Sequence, residues 1–385
     1  MVQHLLSETR WADAGRLRAG GWGARLWKRG AGAALVAACA LWCQPGLAQR
    51  HAAAQAEFWQ MSLAGGRSLT WERSFSSQAD VKANRGFWNK VWDFVAGMPD
   101  YRSMVRPYSV VTDSRGRILV TDPGAGGVHV FDFEKHKYKF IQHLGGKFPM
   151  QAPQCVAVDA EDNIYVTDPL AGVIFVFEPS GKFMRAMGAL RGGEGWFKRP
   201  TGIAVDSAAG RIYVTDTLRF RVYILDMRGT VLSSFGQRGM MDGEFNYPTE
   251  LRLEGDSLLV VDALNFRVQA FDRSGKFEYA VGQIGDSVGA MFRPKAVGMD
   301  SEGDLYVVDD QWGAVQVFNR EGQLLYWFGG AGTQAGQFQL PAGLYIDRND
   351  RVFVVDSFNR RVQVFRYAGL KAPPLETQAA AGGAR

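Results

Sequence analysis

Apolar and polar residues alternate along most of this chain in short segments, which are separated by turn residues. Residues 200–235 illustrate the pattern, which predicts strands at Gly202–Val205, Arg211–Thr215, Val222–Asp226 and Thr230–Phe235. The joints between these strands contain turn residues such as Ser207-Ala208-Ala209-Gly210. The pattern therefore predicts antiparallel β-structure with little helix.

The same pattern occurs six times. Each copy begins Pro-x-x-apolar-x-apolar-Asp, continues to apolar-Val-x-Asp and ends with a Val-x-Val-Phe-like strand. The leading prolines, 46 to 48 residues apart, are Pro107, Pro153, Pro200, Pro248, Pro294 and Pro341. The aspartates that close the second strands are Asp122, Asp168, Asp216, Asp262, Asp309 and Asp356. A period in the forties with four strands per copy is typical of propeller blades, so the sequence predicts an all-β, six-bladed β-propeller.

The two ends of the repeat region complement each other. The sixth copy lacks a fourth strand, because the chain enters Ala372-Pro373-Pro374 soon after Val362–Phe365. Ser68–Phe75 forms an isolated strand pattern before the first copy, and we expect this N-terminal strand to close the last blade and remove a free sheet edge. The predicted organisation is a leader at 1–48, a linker at 49–66, a propeller at 67–370 with a helical insert near 86–98, and a disordered tail at 371–385.

The leader has the layout of a secretory signal. Lys28-Arg29 precede an apolar run from Ala31 to Cys43, which is shorter than the ~20 residues that a permanent membrane helix needs. Two kinds of processing stay open: cleavage after Ala48, or lipid attachment at Cys39, where Val36-Ala37-Ala38-Cys39 resembles a lipobox. We expect an exported protein in the periplasm or at the outer envelope, with membrane contact through a lipid anchor at most.

The positive charge of the chain is concentrated in the leader. The net charge is +5, and residues 1–49 hold six of the 44 basic but two of the 39 acidic residues. The remainder is nearly neutral, which gives no reason to expect a nucleic-acid partner. Cys155 is the one cysteine beyond the leader, so no internal disulfide is expected there.

Two of the copies carry a recognisable core. Asp262–Gln269 and Asp356–Gln363 resemble the core of the NHL repeat, and the resemblance covers residues ~106–367 and extends to exported bacterial propellers. Three blades depart from it, with Gly127, Val173 and Ala314 in place of Arg221, Arg267 and Arg361. The resemblance implies a fold shared by RNA binders, protein-interaction domains, extracytoplasmic sensors and a metal-dependent amidating lyase. It therefore does not select one function.

The repeated aspartates invite a metal or catalytic interpretation. Their presence in every blade indicates a structural role instead, in which each accepts hydrogen bonds from the following loop or from an Arg five residues later. A metal site would need several converging ligands, but His129, His136 and His143 all belong to the first blade. We expect no metal, no cofactor and no catalytic residue, and we interpret Cys155 as a buried packing residue.

The innermost strands contain one anomaly. Five blades carry mostly small or apolar residues at the second and fourth positions after the proline, whereas the fourth blade carries Glu250 and Arg252. Both should project toward the axis, either as a mutually satisfied pair or as contacts for a ligand in the pore, with Lys295 or Tyr345. The second hypothesis gives an alternative function, a lyase or hydrolase acting in the pore.

The loops between second and third strands, and those between blades, should share one face. The ligand-binding candidates on this face are Arg219, Trp312, Arg360, Trp196 and Arg293. Aromatic residues ahead of the prolines are expected to fix the loops to the blades: Phe148, Phe197, Phe245, Phe292 and Phe338. We expect a monomeric binding or scaffold module for a protein or an anionic glycan in the cell envelope.

Overall fold

A computed structural model describes residues 59–82, 101–143, 149–189, 195–285 and 287–369 of the chain. These belong to one compact unit, Phe58–Arg385. The predicted leader with Cys39, the predicted helix near 86–98, Phe148 and the predicted tail lie outside the described residues. Within the described ranges, no helix is long and apolar enough to cross a membrane.

The described residues form six antiparallel sheets, and each sheet is one blade. The first blade contains β3 (Val110–Thr112), β4 (Ile118–Asp122), β5 (Gly127–Asp132) and β6 (Lys137–Ile141). The second contains β7 (Val156–Val158), β8 (Ile164–Asp168), β9 (Val173–Phe177) and β10 (Phe183–Met187). The third contains β11 (Pro200–Asp206), β12 (Arg211–Asp216), β13 (Arg221–Asp226) and β14 (Val231–Phe235).

The other three blades follow the same order. The fourth contains β15 (Pro248–Glu254), β16 (Ser257–Asp262), β17 (Arg267–Asp272) and β18 (Phe277–Val281). The fifth contains β19 (Pro294–Met299), β20 (Leu305–Asp309), β21 (Ala314–Phe318) and β22 (Leu324–Gly329). The sixth contains β23 (Pro341–Ile346), β24 (Arg351–Asp356) and β25 (Arg361–Ala368), with β1 (Gln60–Ser62) and β2 (Ser68–Phe75) added from the N-terminal side. The prediction of an all-β, six-bladed propeller is therefore confirmed.

The N-terminal strand closes the ring as predicted. β2 pairs antiparallel with β25, with Leu69 opposite Tyr367 and Phe75 opposite Val362. Leu69 is fully buried among residues of the fifth and sixth blades. A fifth strand, β1, pairs with β2 within the segment that the sequence assigns to a linker. The sixth blade is thus assembled from both ends of the unit.

The hydrophobic core is divided into layers between neighbouring blades. Ile174 of the second blade, for example, packs with Ile212 and Val214 of the third. Near the axis the inner strands come very close, because a Cβ at Gly202 would lie 2.5 Å from the Leu251 amide nitrogen. Close approach at the axis explains why small residues dominate the inner strands.

Candidate functional site

The six repeated aspartates hold two loops of each blade together. All six are fully buried. Asp168 accepts hydrogen bonds from the Gln151 amide at 2.6 Å and from the Ala171 amide at 3.0 Å, which belong to the loops before and after the two inner strands. Hydrogen bonds from the loop that follows the aspartate were expected. Hydrogen bonds from the loop that precedes the innermost strand were not expected. The role of these carboxylates is structural.

The arginine five residues later contacts the aspartate in two blades. Arg267 Nε lies 3.1 Å from Asp262 Oδ2, and the corresponding pair Arg361–Asp356 is separated by 2.7 Å. In the third blade the expected residue, Arg221, is exposed and donates to Ser234 instead. Arg219 takes its place and lies 3.3 Å from Asp216. The expected Arg contact therefore holds in two of the three blades.

The three histidines of the first blade have separate local contacts. His129 is fully buried, with Nε2 3.2 Å from Asp122 Oδ2 and Nδ1 2.8 Å from the Tyr138 hydroxyl. His136 bonds to the backbone of a neighbouring segment, and His143 stacks on Phe183. In the described part of the chain, no three His, Cys, Asp or Glu side chains converge as a metal site would require.

The structure places two loop-face candidates together. We define the loop face as the surface formed by the loops between second and third strands and by the loops between blades. On it, the Arg219 guanidinium lies 4.7 Å from the Trp196 ring centroid while also bonding to Asp216. Trp196 is half-buried and packs edge-on against Phe197 and Tyr223. Both side chains therefore make contacts within the protein, Arg219 with Asp216 and Trp196 with Phe197 and Tyr223.

Trp312, Arg360 and Arg293 are more accessible. Trp312 occupies the loop position at which Asn265 and Asn359 bond to their aspartates, but its indole makes no such bond and is 36% exposed. Arg360 is exposed and has a φ of 56°, in the left-handed region. Arg293 is paired with Asp310 at 3.1 Å. Trp312 and Arg360 are thus the most available of the five candidates.

The main feature of the loop face is its exposed apolar side chains, which the sequence pattern did not indicate. Twelve of the eighteen exposed large hydrophobic residues in the described ranges lie there. From the loops within blades they are Leu170, Leu218, Leu264, Trp312 and Phe358; from the loops between blades they are Val105, Met240, Met241, Ile284, Val288, Phe292 and Leu340. The other six lie on the outermost strands β10, β14 and β22.

Phe292 was expected to fix its loop to the blade, but it is exposed. Phe197, Phe245 and Phe338 are buried ahead of their prolines, as expected for residues that fix the loops. Phe292 is 44% exposed, because the equivalent position, three residues before the proline, is Met291, which is fully buried. Phe292 is therefore free to contribute to the exposed apolar surface.

The anomalous pair of the fourth blade lies at the axis and is buried. Arg252 Nη2 is 2.9 Å from Glu250 Oε1, and it also donates to the backbone carbonyls of Leu344 at 2.9 Å and Val110 at 3.3 Å. These carbonyls belong to the sixth and first blades. Arg252 thus reaches across the axis from the fourth blade.

The two other pore candidates differ in their relation to this pair. The Arg252 guanidinium carbon lies 5.5 Å from the centroid of the Tyr345 ring, whose hydroxyl bonds to Thr112. Lys295 pairs with Asp310 at 3.4 Å, and that ion pair also includes Arg293. Tyr345 therefore belongs with the axial pair, whereas Lys295 belongs with Asp310.

Burial dominates the electrostatics of the axis. It raises the pKa of Glu250 to about 7, although the Arg252 charge opposes the shift. Glu254, two residues beyond Arg252 on β15, also has its pKa raised to about 7 by burial. The alternation of β15 places Glu250, Arg252 and Glu254 on one side of the strand. The sequence analysis identified the first two and missed Glu254.

Comparisons with known proteins agree on the fold. A protein-family model described as a 6-bladed beta-propeller matches residues 146–217. No curated protein sequence matches the chain. An auxiliary nutrient binding protein from Bacteroides thetaiotaomicron superposes with a TM-score of 0.54 at 13% identity, over 69% of this chain and 70% of that one. Virginiamycin B lyase from Staphylococcus aureus superposes with a TM-score of 0.51 at 13% identity, over 78% of this chain and 99% of that one.

Proposed function

We propose that this chain is an exported binding module of the NHL type whose loop face holds a protein partner. The observation that carries this proposal is the concentration of exposed apolar side chains on that one face. Large exposed apolar surfaces on soluble proteins mark sites of interaction, because leaving them in water is unfavourable. The loop face is therefore the preferred docking surface.

The charges of the loop face indicate an acidic partner. Its exposed basic residues that form no ion pair with a described residue are Lys82, Arg102, Arg106, Lys198, Arg238 and Arg360. Its exposed acids among the described residues are Asp80, which accepts from the Ser77 amide, and Asp242, which faces Arg267 at 3.7 Å. A partner with acidic side chains around apolar ones would complement this surface and would be attracted to it over a distance.

The chemistry of the exposed residues favours a protein over a glycan on this face. Sugar rings stack on flat aromatic surfaces, whereas most of the exposed residues here are Leu, Met, Ile and Val. Trp196, which could offer a flat ring, is half-buried under Arg219. Aliphatic side chains with an arginine rim resemble the composition of protein–protein interfaces.

The shared fold does not select a function, because the solved structures similar to this chain include both a binding protein and a lyase. One observation favours the alternative, a lyase or hydrolase in the pore: a pKa of about 7 at Glu250 suits general acid–base catalysis. Its contacts favour a structural role, because Arg252 pairs with it and also bonds to carbonyls of the first and sixth blades. A Glu250→Gln variant that loses a measurable turnover would establish the enzyme.

The export part of the proposal rests on the sequence pattern Lys28-Arg29 followed by the apolar run to Cys43. Mass spectrometry of the envelope fraction should find the mature N-terminus at Gln49 or a lipid-modified Cys39. An intact leader in the cytosol would contradict export.

Photo-crosslinking locates the docking surface directly. A photoreactive phenylalanine analogue at Met240, on the loop face, should crosslink to one envelope protein, and the same analogue at Leu232, on β14, should not. Binding of the purified partner is then measured by calorimetry. The variant Trp312→Ser/Phe358→Ser/Arg360→Glu should bind about thirtyfold or more weakly, because exposed aromatic and Arg side chains contribute ~2 kcal/mol or more at an interface centre.

A matched control applies the same chemistry to the outer strands, as Leu232→Ser/Leu325→Ser/Arg221→Glu. This variant should bind like the wild type, and both variants should melt like it, since surface substitutions change stability little. Equal loss of binding in both variants, or crosslinks from Leu232 alone, would place the partner elsewhere. Retention of an anionic glycan instead of a protein would overturn the choice of partner.

A further inference from the structure

The loop-face end of the axis contains buried polar atoms that lack hydrogen-bond partners among the described residues. Glu250 is 1% exposed, and neither carboxylate oxygen accepts a hydrogen bond, although Oε1 lies 2.9 Å from Arg252 Nη2. The hydroxyl oxygens of Ser109 and Thr249 and the Nε of Arg252 are also buried without a partner. Buried polar atoms are nearly always hydrogen-bonded in folded proteins. Such a concentration in one place indicates a site for a polar ligand.

Three of these residues come from different blades but lie near one thiol. Ser109 belongs to the first blade, Glu250 and Arg252 belong to the fourth, and all three act on Cys155. Cys155 of the second blade is a neighbour, because the Glu250 carboxylate adds to the effect of burial in raising the pKa of its thiol. The inner strands bring these residues together because they converge on the axis.

Arg252 bounds the site on the side away from the loop face, because it bonds to carbonyls of the first and sixth blades across the axis. On the loop-face side, the residues directly after the leading prolines include Gln154 and Lys295, which are partly exposed. A ligand would approach from this side.

The donor and acceptor pattern defines the class of ligand. The carboxylate needs hydrogen-bond donors, Arg252 Nε needs an acceptor, and a hydroxyl such as that of Ser109 can do either. When Glu250 is ionised, the Glu250–Arg252 pair is neutral, so adding a buried cation or anion would leave an uncompensated charge. Hydroxyl groups satisfy both needs without adding charge, and a narrow axis admits a slender arm.

We propose that the loop-face end of the axis binds a neutral polyhydroxylated compound, a sugar or a linear polyol, through a terminal hydroxyl-bearing arm. The arm donates to Glu250 and accepts from Arg252 Nε, with Ser109 at its side. This site is separate from the docking surface and does not depend on a protein partner.

The test uses the full chain and three probes, sorbitol, glucose and N-acetylglucosamine, with ethanolamine as a cationic control. Saturation-transfer NMR should detect binding of at least one neutral probe. The same probe should raise the melting temperature of the full chain as its concentration increases, because a ligand that binds only the folded ring stabilises it.

The decisive variant is Ser109→Ala, which removes the hydroxyl beside Cys155 and leaves the Glu250–Arg252 pair in place. It should fold and melt like the wild type yet bind the probe about tenfold more weakly, since each hydrogen bond contributes modestly to affinity. Trp312→Ser, on the loop face, should bind the probe normally. The proposal fails if no neutral probe binds, if Ser109→Ala binds the probe undiminished, or if ethanolamine alone binds.

Discussion

The ring aspartates show how far residue-scale reasoning from the sequence can reach. Their register in six copies was sufficient to predict a structural role, because repetition argues against a unique chemical task. Their second set of donors was not predictable: Asp309 accepts from the Phe292 amide, 17 residues earlier, across the loop that joins two blades. A local sequence pattern can predict hydrogen bonds within one loop. It cannot predict hydrogen bonds between two loops that come together only when the chain folds.

A shift of one residue within a repeat also limits what can be predicted from the sequence. An aromatic residue precedes the fifth proline as it does in other blades, but Phe292 is one position too late to be buried, and Met291 fills the space. Methionine adapts to irregular gaps, so its presence there is compatible with the packing. The presence of an aromatic residue near the proline was therefore not enough to predict burial, and Phe292 is exposed.

Arg360 offers a residue-scale test of strain on the loop face. Its φ of 56° is costly for a residue with a Cβ, and three other blades have glycine at this position, Gly126, Gly172 and Gly313. Arg360→Gly should therefore raise the free energy of unfolding by ~1 kcal/mol in urea denaturation. The control Arg221→Gly, in strand β13, should lower it. A loss of stability in Arg360→Gly would show that the arginine side chain stabilises the fold.

At the scale of elements, the closing strand was predictable and its neighbour was not. Ser68–Phe75 shows a clear alternation of apolar and polar residues, and the sixth copy lacks a fourth strand. Together these two observations predict that Ser68–Phe75 supplies the missing strand. β1 has three residues, Gln60–Ser62, and a segment so short contains no measurable alternation. Its position depends on contacts such as Trp59 with Phe365, whose ring centroids are 5.3 Å apart.

The contribution of the closing strand can be measured at Leu69. This side chain is fully buried where β2 meets the fifth and sixth blades. Leu69→Ala should lower the free energy of unfolding by ~2 to 5 kcal/mol, because it leaves a cavity in the core. The same substitution at Leu232, which is 56% exposed on β14, should change it by less than about 0.5 kcal/mol. Equal effects at the two positions would mean that β2 is not essential to closure.

At the scale of the whole molecule, repetition made the fold easy to predict and the binding sites difficult to predict. Six similar copies specify the ring, whereas a binding site depends on how individual blades differ. Glu250 and Arg252 stood out because they break the repeat, so sequence reasoning located the axis. It could not show that Arg252 reaches carbonyls of the first and sixth blades, because the ring must close before those blades face the fourth.

The pH dependence of unfolding tests the axial pair within the whole ring. Burial raises the pKa of Glu250 from its ordinary 4.5 to about 7, so between these values the folded protein keeps a proton that the unfolded chain has lost. The folded state then binds more protons, and stability falls as pH rises from 4.5 through about 7. The loss from Glu250 amounts to roughly 3 kcal/mol, at about 1.4 kcal/mol per pKa unit.

Glu250→Gln isolates this contribution, because the amide resembles the protonated carboxyl and keeps Arg252 in place. Asp300 and Glu254, whose pKa values burial also raises, remain in both proteins, so their effects largely cancel in the comparison. Urea unfolding at pH 5.0, 6.0 and 7.5 should give similar stabilities at pH 5.0 and a more stable variant at pH 7.5. If the variant is instead the less stable protein at pH 7.5, the ionised Glu250–Arg252 pair stabilises the ring, and the axis favours charge more than its burial implies.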